Sequence, residues 1–134
     1  MQEFFTPVDT SHFNGANKYS ATTYGKVINA YLKGDDFPSL ENVHLAIIGV
    51  EEDRKAINNE GCGLAADYVR ENLYKLFQGN YSTKIVDLGN IKKGNTIDDS
   101  YFAVSDVLAQ LLKKNIVPII IGGSQDLTYC NYLA

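Results

Sequence analysis

The chain has 134 residues, 45% of them hydrophobic and 21% charged, with a formal net charge of -4. That length and balance suit one domain with a buried core. Lys and Arg form no cluster, which argues against a nucleic-acid partner, and no apolar stretch reaches the length of a membrane span.

Residues 1–42 read as an irregular lead-in, with turn formers at Pro7, Asp9, Asn14, Gly15 and Asn17. Met1-Gln2-Glu3-Phe4-Phe5 lacks the basic region and apolar core of a signal peptide. One short helix is expected from Thr22 to Lys33, with Val27, Ile28, Tyr31 and Leu32 on one face and Gly34-Asp35-Asp36 as its stop. The segment should pack against a core rather than stand as a separate domain.

The regular part runs from Val43 to Ala134. His44 to Val50 is a near-continuous apolar run, the mark of a strand covered on both faces. A polar loop follows, from Glu51 to Asn59. Between Glu60 and Gln78 the residues Leu64, Ala65, Tyr68, Val69, Leu73, Leu76 and Phe77 recur at helical spacing, and Gly79-Asn80 is a stop. Thr83 to Leu88 reads as a second strand, and Gly89 to Asn95 as the loop after it. Thr96 is placed to cap a helix running to Lys114, with Asp98 and Asp99 near its positive end. Ile116 to Ile121 is a third strand, feeding Gly122-Gly123 and then the start of a last helix.

The order β-α-β-α-β-α implies parallel pairing with right-handed crossovers. The expected class is α/β, a three-layer α/β/α sandwich around a parallel sheet. Its last strand would leave an exposed apolar edge, so self-association or marginal stability is expected.

In such a sheet, ligands gather at the carboxyl ends of the strands. Three loops therefore matter. Glu51-Glu52-Asp53-Arg54 could line a polar or cationic substrate pocket through Glu51 and Asp53, or form a solvated loop. Gly89 to Asn95 reads as an ordinary connection. Asp87, within the strand, needs a hydrogen-bond partner if buried. Gly122-Gly123-Ser124-Gln125-Asp126 combines two glycines, which permit close backbone approach, with polar side chains that either meet a ligand or cap the next helix. No GxGxxG follows the first strand and no GxxxxGK[ST] occurs, so neither nucleotide motif is present. His12 and His44 have no partner at metal-ligand spacing. Cys62 and Cys130 lie far apart without a CxxC pattern and read as buried thiols in a reducing, cytoplasmic setting.

Taken together, these segments resemble the ureohydrolases: arginases, agmatinases and formimidoylglutamases. Pro118 to Asp126 resembles the family's strand and GGDHS loop. Ile48-Gly49-Val50-Glu51-Glu52-Asp53 is similar to its first strand and loop. Asn58 to Leu73, with Gly61, Gly63, Arg70 and Glu71, resembles its GxxxGPxxLR segment, without the proline. Val86-Asp87-Leu88-Gly89-Asn90 resembles its DLGN strand. The form Gly-Gly-Ser-Gln-Asp-Leu-Thr is most similar to a formimidoylglutamase-like branch.

The resemblance implies a partial arginase-like fold and a metal-dependent hydrolase of linear amidines or guanidines. Two manganese ions would activate water for attack on a small-molecule amidine. Gln125 occupies the position of the family's first His ligand, and a neutral amide is a weaker ligand than imidazole. Asp126 could supply a carboxylate in its place. The family's remaining ligand motifs, of the DxHxD and DxDxxDP kind, are absent from these residues. The resemblance therefore implies the N-terminal part of a hydrolase that is inactive by itself and belongs to a homo-oligomer. The alternative is a catalytically degenerate relative that serves as a binding or assembly module.

Overall fold

The computed structural model describes residues 1–10 and 19–134; His12, Asn14, Gly15 and Asn17 lie outside them. At its centre are three parallel strands in the spatial order β4-β3-β5, namely β3 (Leu45–Val50), β4 (Ile85–Ile91) and β5 (Val117–Ile121). Helix α2 (Ala65–Leu73) links β3 to β4, α3 (Ile97–Leu112) links β4 to β5, and α4 (Thr128–Leu133) follows β5.

Side chains alternate across the sheet and so divide between two helical layers. Ala46, Ile48, Val50, Val86 and Leu88 join Val104, Val107, Leu108 and Leu111 of α3 in one buried cluster, together with Leu127 and Cys130. Each fully buried Leu or Ile in it contributes about 1.5–3 kcal/mol. On the other face, Arg70 of α2 bonds Asp87 and Asn90 of β4. The three-layer α/β/α arrangement is therefore present. Thr96 caps α3 as expected. Its hydroxyl accepts from the Asp99 backbone N–H at 3.1 Å, and the Asp99 carboxylate accepts from the Thr96 N–H at 2.8 Å.

Several elements differ from their expected form. Thr22 to Lys33 is not one helix. A single turn, α1 (Tyr24–Val27), gives way to the two-residue strand β2 (Asn29–Ala30), which pairs parallel with β4. The β-branched Val27-Ile28 pair resists a longer helix, and the Tyr31 N–H reaches the Asp87 carbonyl at 2.8 Å. Further along the same flank, β1 (Phe5–Thr6) pairs antiparallel with β4. The sheet is thus parallel at its core and mixed at this edge.

The helix expected from Glu60 to Gln78 is a 3-10 turn at Cys62–Leu64 followed by α2 alone. Past α2 the buried Tyr74 donates its hydroxyl to Asp87 at 2.9 Å. Gly89, Asn90 and Ile91, expected in a loop, continue β4. A β-bulge makes this possible, because the register with β3 slips between Ile47 and Gly49. Gly89 takes φ +82° there, where a Cβ would lie 2.2 Å from the Thr6 carbonyl oxygen. Cys130 is buried, but Cys62 is only half-buried.

Candidate functional site

Two loops meet at the carboxyl end of the sheet. The turn after β5 is shaped by Gly122 and Gly123, both at positive φ (+84° and +83°). A Cβ on Gly123 would lie 2.2 Å from Leu127 Cδ1 and 3.0 Å from the Glu52 carbonyl oxygen. The turn is also tied down by its backbone: the Gly123 N–H donates to the Cys62 carbonyl at 3.1 Å, and the Ser124 N–H to the Glu52 carbonyl at 2.9 Å. Ser124 precedes the 3-10 turn Gln125–Leu127, but its side chain makes no cap bond.

The loop after β3 is fixed by an ion pair between Glu52 and Arg54. Glu52 is 1% exposed, and the Arg54 Nε donates to its carboxylate at 2.9 and 3.1 Å. Ser100 Oγ donates to the same carboxylate at 2.6 Å. Arg54 also donates to the carbonyls of Gly94, Asn95 and Thr96 at 3.0–3.1 Å, which draws the loop after β4 onto the loop after β3. These bonds, Arg54 first, hold the Glu52 carboxyl down at about 2.

Glu51 and Asp53 do not converge on one pocket. Glu51 accepts from the Thr6 hydroxyl at 3.1 Å, toward β1. Asp53 accepts the backbone N–H groups of Gly61 and Gly63 at 3.1 and 3.4 Å and pairs with Lys93. Both carboxylates hold loops in place.

A cavity of ≈ 410 Å³ lies between the two loops, lined by Lys55, Ala56, Ile57, Asn59, Ser124, Gln125 and Asp126. Gln125 is exposed and Asp126 half-buried. Tyr101, from α3, donates its hydroxyl to Asp126 Oδ2. Asp126 Oδ1 is buried and makes no well-formed hydrogen bond among the described residues. Burial opposes the Asp126 charge, but the Ser124 and Tyr101 hydroxyls, with help from Lys55, hold the carboxyl below its usual range. The Lys55 ammonium lies 5.1 Å from the centre of the Tyr101 ring. The Tyr101 hydroxyl and then the Asp126 charge raise its pKa. Neither Lys55 nor Tyr101 stands in a motif; Lys55 comes to the cavity from the loop after β3, and Tyr101 comes to Asp126 from α3.

The fit to a metal is poor. One buried carboxylate oxygen is available, but no group of three His, Cys, Asp or Glu side chains converges anywhere among the described residues. First-row divalent ions need several such donors.

A second polar cluster lies on the α2 face. The Arg70 guanidinium, 0% exposed, meets Asp87 in a two-pronged pair, with Nε and Nη2 each at 2.8 Å. It also donates to Asp67, to Asn90 Oδ1 and to the Gly89 carbonyl. The Gly89 N–H and the Tyr74 hydroxyl complete the shell of Asp87. Asn90 fits because Gly49 has no side chain; a Cβ there would lie 1.9 Å from Asn90 Oδ1. This is the partner that Asp87 was expected to need, and it joins two of the sequence motifs into one structural unit.

The sequence model of the Arginase family matches residues 43–134. The formimidoylglutamase of Photorhabdus laumondii is 26% identical over 92 residues, spanning 66% of this chain and 29% of that protein. The formimidoylglutamase of Streptococcus pyogenes is 27% identical over 143 aligned positions, covering 99% of this chain and 43% of that protein. Among solved structures, Trypanosoma cruzi formiminoglutamase with Mn2+2 superposes with a TM-score of 0.61 at 20% identity, over 71% of this chain and 36% of that one. The chain thus spans less than half the length of the relatives it matches. Matched over more than half its length, this chain belongs to the arginase family.

Proposed function

We propose that this chain is part of a hydrolase of linear amidines or guanidines, with N-formimidoyl-L-glutamate as its leading substrate. The observation that carries this reading is the Gly122–Asp126 loop, set at the carboxyl end of β5 above a cavity. The family match and the formimidoylglutamase relatives support it. Manganese, where bound in such hydrolases, activates and orients water. In this chain Gln125 and Asp126 stand at the loop that would face it. Glu51 and Asp53 serve the site by holding their loops.

The full set of ligands requires residues other than these, so the chain alone is inactive. Its expected setting is a homo-oligomer in the cytoplasm; no helix among the described residues is long and apolar enough to cross a membrane.

The test compares this chain with a longer protein that carries it, both supplied with manganese, by following formamide release from N-formimidoyl-L-glutamate. Turnover by the longer protein and none by the chain is expected. If the longer protein leaves that compound, arginine and agmatine all untouched, the proposal fails. Gln125 at the family's His position favours the second reading, a degenerate relative that binds without turnover; it would show saturable ligand binding in the longer protein and no product.

A further inference from the structure

The Asp126 oxygen that makes no well-formed hydrogen bond among the described residues invites a cation, and a cation is already at hand. Lys55 and Asp126 line the same cavity, and Tyr101 links them, bonding Asp126 through its hydroxyl and lying beneath the Lys55 ammonium with its ring. Against this, a metal ion would find a single carboxylate, with only the neutral oxygens of Asn59, Ser124 and Gln125 besides, and no group of three His, Cys, Asp or Glu side chains among the described residues. It would also meet the repulsion of the Lys55 ammonium, which is exposed but lines the same cavity. The other nearby carboxylates are committed, Glu52 to Arg54 and Asp53 to Lys93.

We infer that Lys55 is the built-in counter-cation of Asp126, and that this face of the site is built to work without a metal ligand of its own. Tyr101 is the positioning residue that holds the carboxylate toward the lysine. The inference concerns only how the loop's charge is balanced. It stands whether or not the amidine-hydrolase reading holds, since its test measures metal affinity and not turnover.

The test uses the whole chain titrated with manganese and followed by electron paramagnetic resonance of the free ion. The chain itself is expected to bind manganese no tighter than millimolar. Lys55→Met removes the competing charge and should tighten binding roughly tenfold or more. Adding Asp126→Asn to Lys55→Met should abolish that gain. Lys55 is exposed, so the variant should fold; an unchanged thermal melt confirms it. Gln125→His alone should leave affinity near that of the parent chain, because Lys55 is still in place. Micromolar binding by the unaltered chain, lost on Asp126→Asn, would overturn the inference. So would a Lys55→Met chain that binds no better than its parent.

Discussion

The chain carries two polar clusters of similar composition that end in opposite states. Around Arg70 and Asp87, every partner is supplied from within: two prongs of guanidinium, a backbone N–H and a tyrosine hydroxyl on one carboxylate. Around Asp126, one carboxylate oxygen is bonded by Tyr101 and the other makes no well-formed hydrogen bond among the described residues. The first cluster lies under α2 with Arg70 and Asp87 both fully buried; the second opens onto a cavity. A closed network stiffens the sheet. An incomplete one at the carboxyl edge is where a ligand can still gain a bond.

This contrast can be broken most forcefully at Arg70. Arg70→Met should leave Asp87 buried without its ion partner and cost about 3–5 kcal/mol, read from the denaturant midpoint. The second largest effect is expected at the turn after β5. Gly123→Ala forces a Cβ into Leu127 at a positive φ and should cost about 1–3 kcal/mol. If Gly123→Ala proved as stable as the parent, the tight fit of this turn would be refuted. Next comes Thr96→Ala, which removes the cap of α3 for about 1 kcal/mol and should loosen the helix that carries Tyr101 toward Asp126.

The last effect is a pH dependence, spread over several pH units. Glu52 titrates near 2 in the folded chain instead of at its ordinary 4.5. A depressed carboxyl stabilises the fold above its unfolded value and stops doing so once protonated. The Glu52–Arg54 contribution should therefore be complete above about pH 4.5 and fade as pH falls toward about 2. Glu52→Gln should flatten that part of the stability curve; an unchanged slope would place the acid sensitivity elsewhere.

The three core strands and α3 were legible because each follows a rule of local sequence: apolar runs for β3, β4 and β5, and a Thr-x-x-Asp cap for α3. The flank of β4 was not. Phe5–Thr6 and Asn29–Ala30 are two-residue strands whose pairing is set by the free edge of β4 and by Gly89, not by their own composition. At the site, the Gly-Gly turn was readable because positive φ selects glycine. Lys55 and Tyr101 were not, since they are 46 positions apart in sequence and meet only after α3 docks. Glu51 and Asp53 stood out as acidic loop residues, while the more deeply buried Glu52 between them governs the loop.

The edge strand has a consequence for its own amides. The Val117 N–H points inward to the His44 carbonyl, and N–H direction alternates along a strand. Ile119 and Ile121 therefore also face β3, Ile120 faces outward, and Pro118 has no N–H at all. In deuterated water, Ile120 should exchange its amide proton quickly between two slow neighbours. In any longer protein that lays another strand along β5, that one proton should become slow. Its exchange rate reports whether the edge of the sheet is covered.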